Sequence, residues 1–454
     1  MNGADTADAL EVVALLAKTK QGLSATYPPW AAFAEVPSSL ESLVYCLAEG
    51  PPSQQDKAIE ILSRLCGDQP VVLGDLLIAR SSSIGSLANR IMNSSSLEVR
   101  VGGTALLVCS AKEHRQRSME ALDLSGYSKP LIYALVDMIK QNSICSSLEI
   151  EVRTPRGFFE RSALQEGDDF DVLDPSTVLG GTVALWLLSI ISSCHNKNKL
   201  IVMEAGGLEA LSDKLLSYTS NSQAEFEDTE GIWISALLLA ILFQDATVVL
   251  SPTTMRIIPS LAHLLRSDEM IHRFFAAHAM ASLVCNGSKG MDLTIANSGS
   301  DTNKLIMAEA GALDALTKYL SLSPKDSTEA SISELLRILF KNPEIIRYEA
   351  SLISVNQLVA VLHLGSRDAR FSAARALQEL FDAQNIRDSE FAWQAVQPLI
   401  DMLNAASESE QEAALVALIK LTSGNTLKAA FFTDLEGDPL ESIYKIFLLH
   451  VPWN

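Results

Sequence analysis

NKLIMAEAGALDAL, Asn303 to Leu316, appears earlier in the same chain as NKLIVMEAGGLEAL, Asn198 to Leu211, with ten of fourteen positions identical. In each copy the residues after the glycine place leucines at relative positions 0, 3 and 7, as in Leu313, Leu316 and Leu320. That spacing puts them on one face of a helix. Gly206 and Gly311 are expected to end the preceding helix, because a residue without Cβ accepts the left-handed cap conformation. The repeated stretch therefore reads as a short helix, a glycine corner and a second helix.

A third element follows at constant distance. Val355, Leu358 and Leu362 are followed eleven residues later by Ala373, then Ala376, Leu377 and Leu380, a 0, 3, 4, 7 stripe. Forty-one residues on, Val396, Leu399, Leu403, Ala414, Ala417, Leu418 and Leu421 repeat the pattern without a gap. The template also fits from Ile258, from Leu40 and from Ile84, where Gly102, Ala105, Leu106 and Cys109 form the third-helix stripe. The copy from Leu313 is weaker, since Glu334 stands where alanine is expected, and copies from Leu131 and Leu208 fit only with longer loops. A unit of about 42 residues with three helices matches the armadillo or HEAT period, and the EAG corner favours armadillo. The expected fold is all-α: a right-handed superhelical solenoid of about eight three-helix repeats over residues 1–454, each covering its neighbour's apolar face.

Composition agrees. The 454 residues are 48% hydrophobic but only 6% aromatic, a leucine and alanine balance suited to packed helices. A net charge of −20 makes nucleic acid and anionic lipid poor partners, because the mean field repels phosphate. Six cysteines with no C-x-x-C pair fit reduced thiols of a cytoplasmic protein. The N-terminal MNGADTADALEVVALLAKTKQ lacks the pattern of a targeting signal, and the longest apolar run, Ile232 to Phe243, is too short for a membrane span and reads as a buried helix. Direct membrane insertion is not expected.

Catalytic patterns are missing. NGSKG, Asn286 to Gly290, lacks the order of a phosphate loop, and His263, His272 and His278 lack the i, i+4 spacing of a metal pair. No nucleophile elbow is present. The chain is expected to be no enzyme, with no cofactor and no metal site. The glycine pairs Gly102–Gly103 and Gly180–Gly181 read as close-packing positions at third-helix starts.

Three places depart from the template. A loop near 143–176 carries Arg153, Arg156, Phe158, Phe159 and Arg161, a candidate recognition segment, followed by Glu166, Asp168, Asp169, Asp171 and Asp174. Second, MDLTIANSG ends at Gly299 like a first helix with its corner, yet SDTNKLIMAEAG writes another first helix immediately afterwards. A register break is expected at 299–300, with one repeat or more lost there. Third, GDPLESIYKIFLLHVPWN begins a second helix and supplies no third, so the chain reads as part of something longer.

In such a superhelix the third helices line the concave face. Armadillo proteins that read basic peptides, such as nuclear import receptors, carry a ladder of tryptophan and asparagine there. The asparagine position here holds Arg64, Val108, Ser282, Glu379 and Lys420, and the tryptophan position Glu60, Thr104, His278, Arg375 and Val416. The import ladder is absent, and an armadillo arm of a ubiquitin ligase would need a U-box not found in this chain. Glu60, Arg64, His278, Ser282, Arg375, Glu379 and Lys420 are the candidate partner-binding groove residues.

Longer words are more specific. MEAGGLEALSDKL, EFEDTEGIWISALLLAILFQDA, VVLSPTTMRIIPSLAHLL, FFAAHAMASLVCNGSKG, EVRTPRGFFER and EGDDFDV closely resemble plant cellulose synthase-interactive proteins. The resemblance implies a non-catalytic armadillo scaffold whose partners are cellulose synthase catalytic subunits, and microtubules directly or through other proteins. It implies a cytoplasmic location, peripheral to the plasma membrane and cortical microtubules through partners. The family's C-terminal lipid-binding module has no counterpart in this sequence.

Overall fold

The computed structural model describes residues 37–65, 70–141, 144–145, 178–220, 229–286, 293–322, 328–404 and 407–423. The candidate loop residues Arg153 to Arg161, the NGSKG glycines and the C-terminal stretch lie outside the described residues. Apart from one short strand pair, the described elements are helices. They fall into two compact units that divide at Val248 and Val249.

In the first unit four third helices follow one another: Pro52–Arg64, Leu97–Glu113, Gly180–Cys194 and Thr229–Leu242, each packed on the one before. Their second helices are Pro37–Glu49, Ser82–Asn93, Ser128–Gln141 and Gly207–Ser220. The inward stripe is as the spacing dictates: Leu40, Leu43, Leu47, Ala58, Ile61, Leu62 and Leu65 are all buried. Gly102 and Gly103 permit the close approach expected of them. A Cβ on Gly102 would stand 2.8 Å from Ser63 Oγ and 3.0 Å from Ser63 Cβ on the preceding third helix, and one on Gly103 3.0 Å from Ile91 Cγ1.

In the second unit the third helices Met270–Asn286, Thr328–Phe340, Arg367–Leu380 and Glu408–Thr422 stack in the same manner. Their second helices are Pro252–Leu264, Ala312–Leu322, Glu349–Leu364 and Val396–Leu403. Ser366 caps the third of these third helices by accepting from the Ala369 amide, as a serine at that position does. Ala373, Ala376, Leu377 and Leu380 are fully buried, so small residues sit where helices cross closely.

Gly206 and Gly311 adopt φ of 79° and 78°, the left-handed corner the sequence called for, and Gly126 makes a third such corner at φ 74°. Gly299 does not. One helix runs unbroken from Leu293 to Glu309, straight through Gly299 and Ser300. The corner expected there is replaced by a fusion of two first-helix sequences. Glycine tolerates the helix interior at about 1 kcal/mol relative to alanine, so the helical neighbours on both sides prevail.

Candidate functional site

The third-helix faces are the candidate surface, and the two units present them differently. In the first unit every residue of Gly180–Ser192 is buried, and so is every residue of Gly231–Phe243. The same holds for Val101–Ala111. Thr104, at the tryptophan position, is fully buried and directs its hydroxyl to Arg100 O at 2.8 Å beside Met138 Sδ. Val108 is buried as well. Trp186 and Trp233 meet edge to face between successive third helices, with ring centroids 5.2 Å apart. A two-residue ribbon, Ile144–Cys145 paired antiparallel with Val178–Leu179, touches the third helices Leu97–Glu113 and Gly180–Cys194. Among the described residues of these third helices, the first repeat keeps an accessible stripe, with Glu60 and Arg64 half-buried and Glu60 3.5 Å from Lys57.

The second unit is more open. His278 presents its ring to solvent, stacked on Phe274 at 6.4 Å between centroids and 5° between planes. Protein also crowds the ring closely, the combination a concave surface produces, and the loss of water lowers its pKa below the ordinary histidine value. Arg375 occupies the equivalent place two repeats later, with its guanidinium 5.5 Å from the Phe371 ring centre. An aromatic residue followed four positions on by a nitrogen base therefore recurs on these two third helices. Ser282, expected on the groove surface, is buried instead. It lies on the side of its helix that packs into the array.

Glu379 and Lys420 are engaged within the protein. Arg337 forms two short bonds to Glu334, 2.8 and 2.6 Å, and reaches Glu379 on the next third helix at 3.6 Å. Lys420 donates to Gln378 O at 3.1 Å and to Asp382 at 2.9 Å, tying the last third helix to the one before. Gln378 in turn donates to Ala413 O at 2.7 Å, and Arg367 pairs with Glu410 at 3.2 Å. Three of the positions that hold an asparagine in a peptide-reading groove, those of Arg337, Glu379 and Lys420, here join repeat to repeat. Arg337 was missed in the sequence, although it stands at the asparagine position of the Leu313 copy. Applying the template through its one mismatch, Glu334, would have found it.

The repeated words have a second geometry, on the first helices. Asn198 is buried and donates to Ile191 O at 3.0 Å, closing the end of the preceding third helix. Lys199 is buried and donates to Gln244 at 3.0 Å; burial lowers its pKa, with Asp245 acting in the opposite direction. At the glycine corners, cations from the C-terminal end of the preceding repeat's second helix, or from just past it, arrive. Lys140 donates to Ala205 O at 3.2 Å, and Arg266 donates to Ala310 O and Gly311 O at 3.2 Å each. Any side chain at these glycines would intrude on that clamp, since a Cβ on Gly206 would stand 2.9 Å from Lys140 Nζ. The word EAG is thus an inter-repeat latch as well as a turn.

Among the described residues no group of three or more His, Cys, Asp or Glu side chains is arranged to hold a metal ion. No single described helix is long and apolar enough to cross a membrane.

Comparison with known proteins supplies what this surface cannot. Over 98% of its length the chain is 55% identical to Protein CELLULOSE SYNTHASE INTERACTIVE 3 of Arabidopsis thaliana. The chain belongs to the cellulose synthase interactive family. Protein CELLULOSE SYNTHASE INTERACTIVE 2 of the same plant is 43% identical over 99% of this chain. The chain spans about a quarter, 25%, of the length of each of these relatives. Among solved structures, a crystal structure of an engineered protein superimposes with a TM-score of 0.67, covering 98% of this chain and 92% of its own at 18% identity, which speaks to the fold alone. No protein-family profile matches the chain.

Proposed function

We propose that this chain is a non-catalytic armadillo scaffold segment that binds cellulose synthase complexes and helps link them to cortical microtubules during cellulose synthesis. The observation that carries this reading is the 55% identity, over nearly the whole chain, to a protein named for interaction with cellulose synthase. The direct partner is the cytosolic part of the cellulose synthase catalytic subunits. Microtubules are reached through other proteins, because a chain of net charge −20 is repelled by the acidic surface of tubulin. The working location is the cytoplasm, held at the plasma membrane and cortical microtubules by partners.

The site supports binding rather than catalysis. Several of its charged residues are spent on ties between repeats, such as Arg337 to Glu379 and Lys420 to Asp382. A basic-peptide groove is disfavoured by the same ties, which occupy three of its asparagine positions. The test is a titration of the purified chain against the soluble cytosolic catalytic region of a plant cellulose synthase, with a lysine-rich import peptide as control. Saturable binding to the synthase region and none to the peptide is expected. Binding to the peptide alone, or to neither, overturns the assignment.

A further inference from the structure

We infer that two whole repeats present in this chain's relatives are excised between Gly299 and Ser300, and that the halves of two different first helices are fused there into one. The inference is independent of what the chain binds. Three separate observations meet at this point. The aligned span to each relative is longer than the chain: 532 and 535 positions against 454 residues, so at least 78 and 81 positions (532 and 535 less 454) have no counterpart here. That is close to two units of about 42 residues.

Spacing locates the loss. Equivalent second-helix positions are 42 residues apart from Leu313 to Val355 and 41 from Val355 to Val396, but 55 from Ile258 to Leu313. The surplus of about 13 matches the length of one extra first helix, SDTNKLIMAEAG. Restoring two repeats would turn this interval into three ordinary ones and requires about 70 residues, most of the deficit.

The structure shows how the join is accommodated. The helix Leu293–Glu309 has 17 residues, against 10 for the first helices Pro70–Ala79 and Arg115–Leu124 and 9 for Asn196–Glu204. Gly299, which closes a first helix in the sequence pattern, is carried in its interior. Beyond the join the interface is of the ordinary kind. Arg266 reaches the Gly311 corner as Lys140 reaches the Gly206 corner, and Arg273 lies 4.9 Å over the buried ring of Tyr319 in the next repeat. A solenoid held by nearest-neighbour contacts tolerates removal of whole units, because the repeats brought together use the same latch.

The test is to sequence transcripts and the gene of the organism that makes this chain, across the codons for Ser298 to Thr302. An in-frame segment of at least about 70 codons between Gly299 and Ser300, encoding two third-helix stripes and a further first-helix corner, is expected in the gene and in a longer transcript. An uninterrupted gene at that point, or the extra segment at another position, overturns the inference. A second measurement is hydrogen exchange on the present chain and on one with the segment restored. Amides around Ser300 to Asn303 are expected to lose protection on restoration, as Gly299 becomes a corner. Unprotected amides there in the present chain would overturn the fused helix.

Discussion

Substitution of Gly311 by alanine separates the latch from the turn. Gly311 sits at φ 78°, where an L side chain costs about 1–2 kcal/mol. Its new Cβ would also fall on Arg266 Nη2, and the flexible guanidinium would move away, giving up its bonds to Ala310 O and Gly311 O. These are exposed bonds, worth about 1 kcal/mol together. The expected loss is about 2–3 kcal/mol. Gly126 provides the internal control: its φ is 74°, but nothing lies within 4 Å of an added Cβ, so Gly126→Ala should show the backbone strain alone. Native-state hydrogen exchange on the second helices Ala312–Leu322 and Ser128–Gln141 reads each loss locally, which suits an array that need not unfold in one step. Gly311→Ala should exceed Gly126→Ala by about 1 kcal/mol, and Arg266→Ala should cost little once alanine is already at 311. Equal losses at the two glycines, or full additivity of Gly311→Ala with Arg266→Ala, would refute the latch.

Other outcomes follow from single contacts. Gly102→Ala gains about 1 kcal/mol of helix propensity yet should destabilise, because crowding against Ser63 costs about 1–3 kcal/mol. Replacing Ser63 by glycine should restore much of the loss in thermal unfolding; a stabilised Gly102→Ala would contradict the close packing. Lys199→Met should leave stability at neutral pH unchanged or higher. Its buried ammonium has a folded pKa below the unfolded value, so the unfolded chain binds more protons between the two and stability rises with pH through that window. The variant should lack this alkaline rise, while exposed Gln244 regains water. At Asp123 burial acts to raise the pKa, but hydrogen bonds from Ser128 and Lys197 and the nearby Lys197 and His195 outweigh it, leaving it below the ordinary carboxylate value. Its contribution is full above the ordinary carboxylate pKa and is lost as pH falls through the lowered one, so Asp123→Asn should flatten acid unfolding monitored by circular dichroism. An unchanged acid limb would count against it.

Much of the architecture was legible because helix stacking is written in short periods. Leu313, Leu316 and Leu320 could face only one way, and the glycine after EA could only be a corner, so repeat type and boundaries followed from local chemistry. The family, too, was legible in long words. What a neighbour does to a side chain was not. Glu379 and Lys420 looked like groove contacts until Arg337 and Asp382, 42 and 38 residues away, were found beside them. Ser282 and Thr104 looked accessible, since template position says nothing of what covers a helix. Gly299 carried a local sign of a corner and became helix interior. A period describes one repeat at a time, whereas ion pairs between third helices and the continuity of a fused helix depend on which repeat lies next, and only the tertiary structure holds that.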